Sequence, residues 1–148
     1  MSKSVSELAD LIFAYYPKMR KLYRNLVSIK DIPISLTQLT CIYIIEQRDG
    51  PSMSELANDL CMSNQQLTKI VDALVDLELV ERVCDPLNRR KFFAKLTEKG
   101  KNMLASLKAE VRRKLGYALR KKSPDEIDRL YDNFAYVASY FGYNGKSE

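Results

Sequence analysis

The chain has 148 residues, of which 46% are hydrophobic and 29% charged, a balance that predicts one folded domain and excludes an intrinsically disordered chain. No apolar run approaches the roughly 20 residues of a membrane-spanning helix, and the N-terminal stretch MSKSVSELADL lacks the apolar core of a signal peptide. We therefore expect a cytoplasmic protein without a membrane partner. The net charge of +5 is modest, so the placement of the basic residues decides what they do.

Histidine is absent, which removes the commonest general base and the commonest metal ligand. No GxSxG, P-loop or GxGxxG motif is present either. We therefore predict a protein that is not an enzyme and that needs no cofactor or metal. Cys41, Cys61 and Cys84 show neither the spacing of a zinc site nor the pairing of a disulfide framework. We expect all three to be small buried hydrophobic residues, as free cysteines commonly are; a redox switch is the alternative.

Capping boxes mark the helix starts. In this motif a serine or threonine is followed three residues later by Glu or Gln, and each side chain bonds the backbone N–H of the other. Five such pairs lead into apolar periodicity: Ser4–Glu7, Ser35–Gln38, Ser52–Glu55, Ser63–Gln66 and Ser123–Glu126.

The first helix begins after Ser4, and Pro17 should kink or split it near residues 13–16, because proline lacks the backbone N–H that the helix needs. The apolar period of the following sequence predicts three shorter helices. They cover residues 36–47, 53–60 and 64–77.

The period then changes from helical to alternating. The stretches LVERVC at 79–84 and KFFAKL at 91–96 predict a β-hairpin over the loop DPLNRR. A fifth, long helix follows Thr97, and a sixth follows Ser123 and reaches Phe141. The predicted order is α-α-α-α-β-β-α-α.

The third and fourth predicted helices are joined by the tripeptide CMS, which is typical of a helix-turn-helix. The second helix of such a pair enters the DNA major groove with its N-terminal residues leading. Amide, hydroxyl and ammonium side chains suit base edges and phosphates there, whereas Asp72 and Asp76 on the same side would repel phosphate. The predicted contacts are therefore confined to the helix start: Ser63, Asn64, Gln65, Gln66, Thr68 and Lys69.

A hairpin after a helix-turn-helix makes a winged helix, whose tip reaches toward the neighbouring minor groove. Arginine suits the negative potential of a narrow minor groove, and the stretch from Leu79 to Lys101 holds seven basic residues against three acidic ones. The predicted wing contacts are Asn88, Arg89, Arg90 and Lys91. Double-stranded DNA is thus the expected partner. The alternative is a helical protein-interaction module whose winged helix does not bind DNA, which Asp72, Asp76 and the modest charge favour.

The stretch DPLNRRKFFAKLTEKGK resembles the signature of MarR-type (multiple antibiotic resistance regulator) transcription factors, which runs DPxDxR, a short strand, then LTxxG. SMSELANDLCMSNQQLTKIVDALVDLELVER is similar to the helix-turn-helix and following strand of that family. The resemblance covers residues 35–101. It implies a mainly α fold with a small β-hairpin wing. Residues 1–148 would form a single domain with two parts. Residues 34–100 would form the winged helix-turn-helix lobe, and residues 1–33 and 101–148 a helical dimerisation layer.

The resemblance further implies a homodimeric repressor, or less often an activator, on a pseudo-palindromic operator, with the first, fifth and sixth helices at the dimer interface. It also implies a pocket, often for phenolic compounds, between the dimer helices and the DNA-binding lobe. Arg90 matches the wing arginine that enters the minor groove. Two positions depart from the family: Asn88 stands where an acid orients that arginine, and Glu78 stands where a glycine precedes the first wing strand.

The first and last helices carry more large apolar residues than a winged-helix lobe can cover. We expect a symmetric dimer to bury them; an intramolecular helical layer in a monomer is the alternative. Aromatic residues near Pro17 and one on the second helix are predicted to line an apolar slot for a small aromatic effector, with an ordinary core position as their alternative. They are Phe13, Tyr15, Tyr16, Met19 and Tyr43.

Overall fold

The computed structural model describes residues 3–27 and 34–140. Within them the predicted order is observed, and the fold class, mainly α with a small β-hairpin, is confirmed. The elements are α1 (Val5–Leu26), α2 (Leu36–Gln47), α3 (Met53–Asp59), α4 (Asn64–Asp76), β1 (Val80–Cys84), β2 (Phe92–Leu96), α5 (Glu98–Leu119) and α6 (Pro124–Tyr140). The predicted continuation of the sixth helix to Phe141 lies outside the described residues.

All five predicted capping boxes are formed. At the start of α4, the Gln66 N–H donates to Ser63 Oγ at 3.2 Å, and the Ser63 N–H donates to Gln66 Oε1 at 3.0 Å. These bonds join residues three apart in the chain, so they form wherever the local sequence allows them. That is why the sequence locates the helix starts so closely.

Pro17 does not split the first helix. Helix α1 continues through it for 22 residues, although the missing N–H leaves the carbonyl of Phe13 without its helical donor. Residues 5–25 are all exposed in the single chain, so water can hydrogen-bond that carbonyl. The predicted split is therefore wrong, and the alternative, a kink at this proline, stays a prediction.

One core holds the helix-turn-helix and the hairpin together. It is formed where α2, α3 and α4 pack against the hairpin and the first half of α5, and its largest fully buried side chains are Ile42, Ile45, Leu56, Leu67, Leu74, Leu79 and Leu104. Leu107 of α5 is also buried in it, so the core continues past residue 100. The predicted boundary of the lobe at that residue stays a prediction.

The hairpin is anchored to the entrance of α3. Strands β1 and β2 are antiparallel, with Val80 opposite Leu96 and Cys84 opposite Phe92. On its other edge β2 receives the chain that leads into α3, because Ala94 N–H donates to the Pro51 carbonyl at 3.0 Å. The wing and the segment that enters the helix-turn-helix are therefore joined by a backbone hydrogen bond.

Helix α4 ends in a left-handed turn without glycine. Glu78 has φ +60°, its N–H donates to the Val75 carbonyl at 2.8 Å, and the Leu79 N–H donates to the Leu74 carbonyl at 2.9 Å. This pair of bonds is the Schellman arrangement that usually recruits glycine. The Glu78 carboxylate also pairs with Lys99 at 2.9 Å, which lowers the pKa of Glu78 through the hydrogen bond and the charge of Lys99.

The cysteines occupy different environments. Cys41 is buried as predicted, and burial raises the pKa of its thiol to about 12. The prediction is wrong for Cys61 and Cys84, which are exposed. Cys61 has φ +51° in the turn between α3 and α4, and Cys84 ends β1 beside the wing loop. Both therefore lie where the chain reverses direction at the surface.

The chain divides into two compact units, Met1–Val111 and Arg112–Glu148. The core described above belongs to the first. In the second unit α6 has no buried residue, and its large apolar side chains are exposed: Ile127, Leu130, Tyr131, Phe134 and Val137. Among the residues that the structure describes, no helix is both long and apolar enough to cross a membrane.

The start of α5 approaches the base of the wing closely at Gly100. Thr97 N–H donates to the Leu79 carbonyl at 3.1 Å, and the Thr97 hydroxyl donates to the Glu78 carbonyl at 2.6 Å. The same hydroxyl oxygen accepts the Gly100 N–H at 3.0 Å. A side chain at Gly100 would collide with the backbone of Leu79, so this junction requires glycine for space rather than for conformation.

Gly100→Ala is expected to lower the free energy of unfolding by about 2 kcal/mol, because its Cβ would lie 2.1 Å from the Leu79 carbonyl oxygen. The matched control is Gly116→Ala in the same helix, where nothing lies within 4 Å of the added Cβ. Helix propensity should make that control stabilising by up to about 1 kcal/mol. Urea denaturation measures both, and equal effects would contradict this account of the junction.

Candidate nucleic-acid interface

The start of α4 presents polar side chains on a fixed backbone. Leu67, Val71 and Leu74 anchor one side of the helix in the core. All six predicted contact residues on this helix are exposed: Ser63, Asn64, Gln65, Gln66, Thr68 and Lys69. Two of them also serve the helix itself, since Gln66 closes the capping box with Ser63. The side chains of Gln65 and Lys69 have no partner among the described residues, so they remain available to a ligand.

A groove of about 730 Å³ lies between the start of α3, the start of α4 and the wing. Five of the ten predicted DNA contacts line it: Asn64, Thr68, Asn88, Arg90 and Lys91. The tertiary fold therefore brings the leading turn of α4 and the wing loop onto one concave surface. The other five are exposed but do not line this groove: Ser63, Gln65, Gln66, Lys69 and Arg89.

Arg82 is a groove residue that sequence reasoning missed. Its guanidinium pairs with the Asp72 carboxylate at 2.7 Å and lies 3.5 Å from the Thr68 carbonyl oxygen. The pair links β1 to α4 and neutralises one of the two acids that oppose DNA binding on this helix. In the sequence Arg82 is the single basic residue of β1. Nothing in the sequence indicates that it pairs with an aspartate ten positions earlier.

The wing loop is held by two side chains that bond its own backbone. Asp85 Oδ1 accepts the Leu87 N–H at 2.8 Å, and Asn88 Oδ1 accepts the Arg90 N–H at 3.1 Å. Asn88, which replaces the family's acid, thus orients the backbone of Arg90. Within residues 3–27 and 34–140, the guanidinium groups of Arg89 and Arg90 form no hydrogen bond or ion pair, so two uncompensated cations project at the tip.

One acid also lines the groove. Glu55 accepts hydrogen bonds from the Ser52 hydroxyl at 2.6 Å and the Ser52 N–H at 2.8 Å. These bonds, with smaller contributions from Lys91 and Arg48, lower the pKa of Glu55. The Glu55 carboxylate thus caps the start of α3. Arg90 and Lys91 supply positive charge to the same groove.

The predicted effector residues lie on two helices. Phe13, Tyr15, Tyr16 and Met19 are exposed on α1, at 80%, 51%, 65% and 40% respectively. Tyr43 is half-buried on α2, and the Lys108 ammonium lies 5.9 Å from the centre of its ring. Because the four α1 side chains are exposed in a single chain, an apolar slot around them needs a second surface to close it.

Comparison with known proteins agrees with this geometry. Residues 34–92 match the family model described as MarR family. The chain is similar to the uncharacterized HTH-type transcriptional regulator YhbI of Bacillus subtilis (strain 168), at 28% identity over 116 residues that cover 78% of this chain and 73% of that protein.

Two solved structures show the same fold. The crystal structure of RV1404 from Mycobacterium tuberculosis superposes with a TM-score of 0.83 at 20% identity and covers 100% of both chains. NadR in complex with 4-hydroxyphenylacetate superposes with a TM-score of 0.63 at 25% identity, over 93% of this chain and 96% of that chain.

The family match begins two residues before α2 and ends at the first residue of β2. It therefore spans the complete helix-turn-helix, the first wing strand and the wing loop, which are the parts that build the groove. Over residues 34–92 the chain accordingly matches the MarR family, and the solved structures share its winged helix-turn-helix fold.

Proposed function

We propose that this protein is a DNA-binding transcriptional regulator that acts in the cytoplasm as a homodimeric, ligand-responsive repressor on a pseudo-palindromic operator. The observation that carries the proposal is the shared groove of α4 and the wing, where Asn64 and Thr68 face Arg90 and Lys91. A single surface thus offers hydrogen-bonding groups for base edges and cations for phosphates. The function is one of binding and involves no catalysis.

The leading turn of α4 is the major-groove reader in this proposal. Gln65 and Asn64 can each present a bidentate amide to adenine, and Lys69 can reach phosphate. The positive end of a helix of 13 residues favours phosphate as well. Arg90 and Lys91 at the wing then contact the adjacent minor groove and its phosphates.

The alternative, a protein-interaction module that does not bind DNA, loses part of its support. Asp72 was one of the two acids that favoured it, and its carboxylate is paired with Arg82. Asp76 remains exposed and without an ion pair in the described part of the chain. Asp76 is the last residue of α4. It lies six residues beyond Ile70, which is itself past the first turn of the helix, so Asp76 is far from the proposed contacts.

A second copy of the chain is the proposed cover for the exposed apolar side chains. On α1 they include Leu8, Leu11, Ile12 and Leu22, which are between 46% and 52% exposed. On α6, which belongs to the second unit, Phe134 and Val137 are 59% and 53% exposed. Apolar stripes of this extent commonly mark protein interfaces. A symmetric pair would repeat the reading surface on two half-sites of an operator.

A small aromatic effector is proposed for the surface that includes Phe13, Tyr15, Tyr16, Met19 and Tyr43. NadR, the structural relative in complex with 4-hydroxyphenylacetate, supports a ligand of this chemistry. The exposure of the α1 members supports a site that closes when two copies associate. Ligand binding there would change DNA affinity if it favours one arrangement of the two copies.

Arg90→Ala is expected to weaken binding to an operator duplex about tenfold and to reduce the slope of log affinity against log salt by about 0.9. The control is Lys101→Ala, a basic residue outside the groove lining, which should leave the slope unchanged. Fluorescence anisotropy over a salt series measures both, with duplexes from the flanking promoter. If the wild type shows no salt-sensitive binding to any of them, the interaction-module alternative replaces this proposal.

Arg82→Ala is expected to weaken DNA binding about threefold to tenfold, because it exposes the Asp72 charge beside the groove and releases β1 from α4. Asp72→Asn should bind at least as tightly as the wild type, since it frees Arg82 for phosphate. The double variant should recover part of the affinity that Arg82→Ala loses. Purely additive effects in this double-mutant cycle would show that the two side chains do not act as a pair.

4-Hydroxyphenylacetate is expected to raise the Tm of the wild type and to lower its affinity for the operator duplex. At about 100 times its Kd, such a ligand stabilises the protein by about 2.7 kcal/mol. Tyr15→Leu should reduce the Tm shift, whereas Tyr136→Leu, on α6 and outside the proposed slot, should not. No Tm shift and no change in DNA affinity, with this and related phenolic acids, would remove the effector from the proposal.

A further inference from the structure

Leu87 is 97% exposed at the tip of the wing. A single exposed leucine is common on protein surfaces, so exposure alone carries no conclusion. Leu87 differs in that its backbone is fixed and two cations, Arg89 and Arg90, follow it in the same loop. Both features bear on what its side chain touches.

The loop holds Leu87 outward by a set of local hydrogen bonds. The Asp85 N–H donates to the Lys91 carbonyl at 2.9 Å, which closes the loop at its base. Asp85 in turn accepts the Leu87 N–H at 2.8 Å and the Asn88 N–H at 3.3 Å, through its carboxylate and carbonyl respectively. Binding therefore costs little ordering of the backbone at this position, because the turn is already formed.

The side chains beside Leu87 define the surface that it fits. Arg89 and Arg90 follow it closely in the loop, and neither guanidinium has a partner within the described residues. Arg90 also lines the groove that continues to α4. An apolar group beside two unpaired cations suits a partner whose negative charges flank an apolar wall.

The DNA minor groove has that chemistry. Its floor carries hydrogen-bond acceptors and its edges carry phosphates, while its walls are formed by deoxyribose rings. Proteins that enter the minor groove read it with arginine or lysine and frequently bring an apolar side chain such as leucine into it as well.

We propose that Leu87 packs against the deoxyribose walls of the minor groove while Arg90 contacts the floor or the phosphates. The inference rests on the proposed DNA-binding function and adds to it an apolar, salt-independent contribution from the wing. Sugar walls are the same for every base pair, so this contact contributes affinity rather than sequence preference. The occupant of the Leu87 surface is thus duplex DNA and not an apolar pocket of another protein.

The salt series separates the two wing contacts. An apolar contact releases no counterions, so Leu87→Ala should weaken binding about tenfold at every salt concentration without changing the slope. Arg90→Ala should instead reduce the slope. Leu87→Met should bind like the wild type, because it keeps the apolar volume. Val5→Ala is the matched control, since Val5 is also an exposed aliphatic residue, 85% exposed at the start of α1.

The duplex for these measurements is the one that the full-length wild type selects from a random pool. Circular dichroism and Tm should be unchanged in Leu87→Ala, since the side chain has almost no contact with the rest of the chain. Wild-type affinity in Leu87→Ala, or equal losses in the alanine and methionine variants, would overturn the Leu87 inference and leave the regulator intact. Failure of the wild type to select any duplex would overturn the proposed function and this inference together.

Discussion

The close approach of α5 to the backbone of Leu79 is the constraint on which the groove between α4 and the wing depends. The Leu79 carbonyl accepts the Thr97 N–H, and Gly100 leaves the space that this contact needs. At the same place α4 ends, β1 begins, β2 ends and α5 begins. The same contacts therefore fix both the angle of the wing and the position of α4. A displacement at this junction would move both walls of the groove, although no residue of the junction lines it.

Electrostatics of the groove depends on a second contact across elements. A helix that carries Asp72 and Asp76 is a poor partner for phosphate unless those charges are compensated. Arg82 compensates one of them from β1. As a partly exposed ion pair it contributes little to stability, so its effect lies in the charge that DNA would meet. Among the described residues, the cations left unpaired beside the groove then include Lys69 on α4 and Arg89 and Arg90 at the tip of the wing.

The exposed surfaces of the chain differ in chemistry, and that difference supports two kinds of partner. The leading turn of α4 and the wing loop expose amides, hydroxyls and cations around a concave surface. Helices α1 and α6 each expose a series of large apolar residues. Exposed polar groups hydrogen-bond to water, so leaving them uncovered has no free-energy cost. Exposed apolar side chains do have such a cost, and a covering surface removes it. DNA suits the first surface and a second copy of the chain suits the others.

The sequence by itself determined the features that depend on residues close together in the chain. Each helix start is a bond between residues three apart, such as Ser63 and Gln66, and each strand is a local alternation, so the order of elements followed directly. The three-dimensional structure decided what residues far apart do to one another. It paired Arg82 with Asp72, seated Gly100 against Leu79, kept α1 continuous at Pro17, and exposed Cys61 and Cys84 where burial was expected. Local hydrogen-bond patterns are written in short stretches of sequence, whereas these contacts exist only once packing has brought distant segments within reach.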